Sequence, residues 1–307
     1  MVTPPTLSIV LPVFNEEAGL MELHRRLVGT LETMGESFEL LYVDDGSADQ
    51  TLRLLRDVAS QDKRVVVLAL SRNFGHQIAL TAGLDHGRGE AIVTMDSDLQ
   101  DPPELLPDLV ARWREGYDVV YARRRARPGE TAFKRGSAFL FYRALRMLTR
   151  IDIPTDTGDF RLLSRKAAEA LRSLPEQQRF LRGLVAWIGF RQVSVDYDRP
   201  ARKSGESKYR LRDMMRLAKA AAFGFSSLPI GLLGLAGAVV SVGAIVAVLL
   251  TDTPALVGSI FFLGGVQLLG MWVIGEYVAT IASEVRRRPL YVVREAMNLP
   301  SIPASDA

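Results

Sequence analysis

The chain has 307 residues, no cysteine, 48% hydrophobic and 24% charged residues, and a formal net charge of +3. Without cysteine there are no disulfides and no thiolate metal sites, which fits a reducing compartment. The composition lies near globular averages, which excludes wholesale disorder, and so small a net charge gives no reason to expect nucleic acid as a partner.

The length suits one α/β domain of roughly 200–230 residues with a smaller part beside it. Met1 to Ser8 shows neither a basic n-region nor a long apolar h-region, so no signal peptide is expected. Residues 7–14 (LSIVLPVF) form an apolar, β-branched run that ends at Asn15-Glu16-Glu17. Leu20, Leu23, Leu27, Leu31 and Met34 then recur at helical spacing over 18–34. Phe38 to Val43 reads as a strand ending in Asp44-Asp45-Gly46-Ser47, followed by a helix over 49–59. A third strand covers Val65 to Leu70, a helix 76–86, and a fourth strand Ala91 to Met95, ending at Asp96. Strands alternating with helices predict βαβ units and a mostly parallel sheet. Ligands bind such sheets beyond the carboxyl ends of the strands. All four strands end there in polar or acidic residues, Ser71-Arg72-Asn73 and Asp96-Ser97-Asp98 among them.

Further on, residues 133–149 and 208–223 read as basic amphipathic helices, a pattern that suits a membrane interface. Leu228 to Leu250 is apolar and uncharged, and as a helix it would extend about 34 Å, enough to cross a bilayer. Pro254 to Gly275 is a second such run, separated from the first only by Thr251, Asp252 and Thr253. So short a link makes a hairpin. Basic residues crowd its outer ends, at 199–219 and at Arg286, Arg287 and Arg288, which places both ends in the cytoplasm. Glycines along both runs allow close helix packing and a homo-oligomer.

Two carboxylates at i and i+2 just past a strand, as in Asp96-Ser97-Asp98, can share one hard divalent cation such as Mg²⁺ or Mn²⁺. Pro12-Val13-Phe14-Asn15-Glu16-Glu17, Val43 to Ser47, Ser71 to Gln77, and Met95 to Pro103 (MDSDLQDPP) resemble, in order, the motifs of family 2 glycosyltransferases. The resemblance is to the polyprenyl-phosphate branch, similar to dolichol-phosphate mannose synthase and the bacterial GtrB-type enzymes. It continues through Asp156 to Leu162 and Arg202 to Tyr209 and ends in the hairpin, covering nearly the whole chain.

The resemblance implies a GT-A fold and an inverting transfer of a sugar from a nucleotide donor, UDP-sugar before GDP-sugar, to a polyprenyl phosphate such as undecaprenyl phosphate. Pro12, Phe14, Glu16 and Asp44 would hold the nucleoside, with Asp45 beside them. Asp96 and Asp98 would bind the metal on the donor diphosphate, and Gln100 would support that loop. Arg202 and Lys208, in a Gly/Ser-rich stretch before the first apolar run, would hold the acceptor phosphate. Asp156 and Asp159 are the candidate bases. Asp156 could instead orient an acceptor that is already dianionic, and Asp159 could pair with Arg161. The three histidines, at 24, 76 and 86, are too scattered for a metal set.

On this reading the chain has a cytoplasmic catalytic domain over 1–207, a juxtamembrane helix over 208–225, two transmembrane helices within 226–281 and a cytoplasmic tail over 282–307, and it resides in the inner (plasma) membrane. Two other functions compete. A processive polysaccharide synthase would carry Q-x-x-R-W and more spans, whereas here Gln177-Gln178-Arg179 is followed by Phe180. A non-catalytic scaffold would not need its acidic motifs intact.

Overall fold

The apolar, β-branched runs become strands, and the 3.6-period segments between them become helices. Leu7–Val13 (β1), Leu20–Met34 (α1), Phe38–Asp44 (β2), Thr51–Gln61 (α2), Val65–Leu70 (β3), His76–His86 (α3) and Ala91–Thr94 (β4) follow in chain order, with boundaries close to those read from the sequence. A 3₁₀ turn at Pro103–Leu105 leads into α4 (Leu106–Arg114). Then come β5 (Val119–Arg124), β6 (Thr157–Ser164), α5 (Arg165–Ser173), α6 (Leu181–Trp187), β7 (Gln192–Tyr197), α7 (Ala255–Arg286) and β8 (Val293–Met297). This computed structural model describes residues 4–125, 157–177, 179–198 and 255–299, together with residues 233, 235, 237, 239, 240, 243 and 246. Asp156, Arg202, Lys208 and the amphipathic segments 133–149 and 208–223 lie outside the described residues.

One eight-stranded sheet runs in the order β7-β5-β6-β4-β1-β2-β3-β8. The β4–β1–β2–β3 centre is parallel, whereas β6 and β8 run antiparallel to their neighbours. From β1 the chain steps one way, to β2 and β3, and then returns to place β4 on the other side of β1. That reversal opens a crevice beyond the carboxyl ends of β1 and β4, the position where open α/β sheets bind ligands.

Helices cover both faces. The leucines of α1, at 20, 23, 27 and 31, pack with Leu52 and Leu55 of α2 and Leu106 and Leu109 of α4 on one face. Burying each such side chain contributes about 1.5–3 kcal/mol. On the other face Leu80 and Leu84 of α3 meet Ala167 and Leu171 of α5 and Leu184 of α6. The strands β1, β2 and β3 are therefore buried on both sides along their whole length, as parallel strands under two helical layers must be.

The C-terminal part departs from the sequence reading in two ways. The second apolar helix does not stop near residue 275 but runs to Arg286. Glu276 ends the uncharged run, but no glycine or proline follows it until Pro289, so nothing breaks the helix at the charge. Residues 282–307 are also not simply a tail, because β8 adds to the sheet as an edge strand on β3. Arg56 pairs with Glu295 at 2.5 Å, and the Asn298 amide donates to the carbonyls of Ala59 (2.6 Å) and Val65 (2.9 Å). Five residues that alternate half-buried with exposed gave too weak a period to read as a strand.

Among the described residues, α7 is the one helix with a stretch long and apolar enough to cross a membrane, Phe262–Arg286, with a mean hydropathy of 1.3. A Cβ on Gly270 would lie 3.4 Å from the Leu233 side chain, so the first apolar run touches this helix there.

Candidate functional site

The crevice is built from four strand ends. After β1, Asn15 takes the left-handed region (φ 55), its amide donates to Ser47 Oγ at 3.0 Å and its Oδ1 accepts the Ala48 amide at 2.8 Å. The Glu16 amide donates to Thr51 Oγ1 at 2.9 Å. These bonds stitch the loop after β1 to the loop after β2. They leave Phe14 38% exposed rather than packed on the sheet edge, while Pro12 is buried beneath it. Gly46 makes the next contact possible: with φ 73 and no side chain, it lets the β2 loop approach Arg72 and Asn73, whose backbone a Cβ would meet at 2.6–2.7 Å.

Asp44 and Asp45, adjacent in sequence, do different things. Successive side chains of an extended chain point to opposite sides. Asp45 accepts the amides of Phe74 (2.7 Å) and Gly75 (2.9 Å), one on each oxygen, and so fixes the loop that leads into α3. Burial pushes its carboxyl up, against the pull of those two amides. Asp44 is completely buried; Oδ1 accepts the Ser47 amide at 3.2 Å, and Oδ2 has no partner among the described residues. Asp44 thus closes its turn with one oxygen left unpartnered among the described residues, whereas Asp45 is a loop anchor.

After β4, Ser97 Oγ donates to the Pro12 carbonyl at 2.8 Å and ties this turn to the end of β1. The Gln100 amide donates to Asp98 Oδ1 at 3.1 Å, and the Asp96 amide to Asp101 Oδ2, also at 3.1 Å. Gln100 does belong to this loop. Asp96 Oδ1 is buried without a hydrogen bond; His76 Nε2 lies 3.3 Å away without the alignment of one. Burial raises the Asp96 carboxyl above the usual range, which His76 opposes and the charges of Asp159 and Asp98 assist.

Asp159 lies on β6 behind this turn. Its carboxylate accepts from Arg161 Nη2 (2.9 Å), Arg182 Nε and Nη2 (3.2 Å each) and Gln77 Nε2 (3.1 Å), with His76 Nε2 at 3.4 Å. Burial alone would raise it, yet Arg182, His76 and Arg161 hold it well below the usual carboxylate range. A group that gives up its proton so readily is a poor proton acceptor. The geometry favours the ion-pair reading of Asp159 over the base. His76, the half-exposed first residue of α3, bridges the two aspartates. Desolvation would lower its imidazole, but the Asp159 carboxylate and the charge of Asp96 outweigh that and raise it to about 9. His76, Gln77 and Arg182 were not among the site residues read from the sequence. His76 and Gln77 stood inside a quoted motif, but Arg182 gave no local signal.

Among the described residues no three His, Asp or Glu side chains form a metal cage. The arrangement does fit a hard cation held from one side: an orphaned Asp96 oxygen, Asp98 two residues on, and an open face toward a ligand. Mg²⁺-type ions are commonly bound by one or two carboxylates plus substrate phosphates in this way.

The end of α7 meets this same edge. The Ser71 amide, just past β3, donates to the Val292 carbonyl at 2.8 Å. Glu284 of α7 accepts the Gln177 amide on both oxygens, at 2.9 and 3.0 Å, and Gln177 leads into α6, which carries Arg182.

The glycosyl transferase family 2 profile matches residues 8–172. The chain is 44% identical to an uncharacterised glycosyltransferase of Bacillus subtilis, YkcC, over 95% of this chain and 94% of that one. It is 35% identical to a prophage bactoprenol glucosyl transferase homologue of Escherichia coli and 36% identical to an SfII prophage-derived bactoprenol glucosyl transferase of Shigella flexneri, each over 94% of this chain and 98% of the relative. It also overlays loosely on glucosyl-3-phosphoglycerate synthase from Mycobacterium tuberculosis, with 24% identity over 71% of this chain and 78% of that one and a TM-score of 0.48, too loose to inform on ligands.

Proposed function

The chain belongs to glycosyl transferase family 2, with the GT-A fold and a glycosyltransferase activity, and on that premise we propose that it moves a sugar from a UDP-sugar to a polyprenyl phosphate, undecaprenyl phosphate in particular, at the cytoplasmic face of the plasma membrane. One observation carries the acceptor assignment. The long apolar helix rejoins the sheet at the edge that bears Asp44, Asp96 and His76, through Ser71–Val292 and Gln177–Glu284. That junction supports an acceptor that reaches the donor edge from the membrane rather than the opposite end of the strands. The bactoprenol glucosyl transferase relatives support the same acceptor class.

In this reading the exposed Phe14 and the unpartnered oxygen of Asp44, with Pro12 and Glu16, receive the nucleoside. Asp96 and Asp98 hold a Mg²⁺ or Mn²⁺ ion, which when bound offsets the charge that grows on the departing diphosphate. A phosphate oxygen of the acceptor attacks the anomeric carbon from the far side. The bond from that carbon to the diphosphate oxygen breaks, UDP leaves and the configuration inverts. Arg202 and Lys208 hold the acceptor phosphate and Asp156 orients it. For Arg202 and Lys208 the order in the chain supports this, since they stand among basic residues shortly before the first apolar run. The basic residues at the outer ends of the two apolar runs favour both chain ends lying in the cytoplasm.

The test is transfer. Membranes containing the protein, given radiolabelled UDP-sugars and undecaprenyl phosphate, should move label into the organic-extractable lipid, with loss in EDTA and recovery in Mg²⁺ or Mn²⁺. Label moving only to a water-soluble acceptor would overturn the lipid assignment, and full transfer in EDTA would overturn the metal.

A further inference from the structure

Leu99, in the turn that carries Asp96 and Asp98, sits at φ 61, in the left-handed region that a side chain with a Cβ seldom adopts, so contacts around it must hold that backbone in place. Asp101 supplies one fixing point. It is completely buried, and its Oδ2 accepts the Asp96 amide at 3.1 Å. Its Oδ1 accepts the hydroxyl of Tyr197 at 3.0 Å. Tyr197 is the last residue of β7, an edge strand 96 positions further along the chain, and it lies in register with Arg124 of β5. Arg124 Nε donates to the same hydroxyl oxygen at 3.3 Å. The hydroxyl thus accepts from a cation and donates to a carboxylate, an arrangement in which each bond polarises the next. Burial, aided by the charge of Asp101, pushes the phenol up to about 12, so it keeps the proton that it donates. The ring packs edge-on against Phe160 at 6.1 Å, which fixes it independently of the hydroxyl.

We propose that Tyr197 is a positioning residue for the metal-binding turn: acting through Asp101, its hydroxyl holds the Asp96 backbone so that the Asp96 carboxylate faces the donor diphosphate. The inference rests on the metal reading given above. It makes the edge strand β7, remote from every acidic motif, a part of the donor site. The role assigned to Tyr197 is indirect. It acts on where the Asp96 oxygens stand, as the outer partners of metal ligands commonly do.

The experiment uses the full-length protein in detergent and reads Mn²⁺ binding directly, by electron paramagnetic resonance in the presence of UDP, beside the thermal midpoint. Tyr197→Phe keeps the ring and loses only the hydroxyl. It should weaken Mn²⁺ binding about tenfold, in the range found for the outer partners of metal ligands, while the midpoint falls by only a few degrees. Asp101→Asn should weaken it as well, and the double variant should be no worse than Asp101→Asn alone, because both act along one path. Unchanged Mn²⁺ affinity in Tyr197→Phe, with loss of affinity only in a destabilised Tyr197→Ala, would reduce Tyr197 to a packing residue and overturn the proposal. Additive losses in the double variant would overturn the route through Asp101. A wild-type protein that binds no Mn²⁺ even with UDP would instead remove the metal reading on which the inference stands.

Discussion

The turn after β4 and the start of β6 each set an aspartate beside the same histidine, and their surroundings give them opposite characters. Asp96 has few donors, an orphaned oxygen and a carboxyl raised by burial. Asp159 is surrounded by Arg161, Arg182, Gln77 and His76 and is held well below the usual range. The difference lies in the neighbours rather than in the residue type. Asp96 keeps an oxygen without a hydrogen bond among the described residues, whereas Asp159 is saturated, and the two carboxyls shift in opposite directions.

The largest expected effect tests the saturated partner. Asp159→Asn leaves two arginines around an uncharged amide, and Arg161 is almost wholly buried. Breaking a buried pair from one side costs about 3–5 kcal/mol, so the thermal midpoint should fall by roughly 10 °C. A midpoint within a degree or two of wild type would show that the ion pairs carry no stability. Asp96→Asn should show the reverse pattern. Transfer should fall by about 10²–10³-fold while the midpoint holds or rises slightly, because a desolvated charge is removed. If unfolding rather than transfer changes, the contrast between the two aspartates is wrong.

His76 links them and gives the pH dependence. Its folded value, about 9, lies above the ordinary histidine value of 6.5. The stability that it adds is therefore fully present below about pH 6.5 and is lost as pH rises through about 9. Asp159, being depressed, adds stability above its ordinary value of 3.8 that is lost only in strong acid. In chelator, the gap in midpoint between wild type and His76→Gln should be widest near pH 6 and shrink toward pH 10. A gap that widens with pH would mean that the histidine is neutral in the cleft.

The smallest effect concerns how α6 is held. Glu284→Ala removes both acceptors of the Gln177 amide, and one such bond contributes about 1 kcal/mol. Hydrogen exchange at Gln177 should quicken about fivefold, while Glu284→Gln, which keeps an acceptor oxygen, should stay near wild type. Equal exchange in all three proteins would detach the helix end from the segment that supplies Arg182.

Much of this was legible in the sequence because it is local. The strands β1 to β4 and the acidic residues at their ends stand in the period-2 and period-3.6 patterns themselves. Other features depend on distance along the chain. Whether Asp159 is a base or an ion-pair partner is decided by Arg182, 23 residues later, and Asp44 and Asp45 can be told apart only once the amides of Phe74 and Gly75 arrive. The strand β8 was invisible for the same reason: Val293–Met297 has little pattern of its own and becomes a strand because β3 offers an unpaired edge.

That last strand also determines how the catalytic domain can be handled apart from its apolar helices. A fragment ending before residue 226 would lose β8 and bare the backbone N–H and C=O groups of β3 beside six apolar residues, a long flat edge of the kind that recruits other strands. Such a fragment should self-associate for want of its own C-terminus, not for want of lipid. Splicing residues 287–299 back onto it through a short polar linker should restore solubility without any membrane segment.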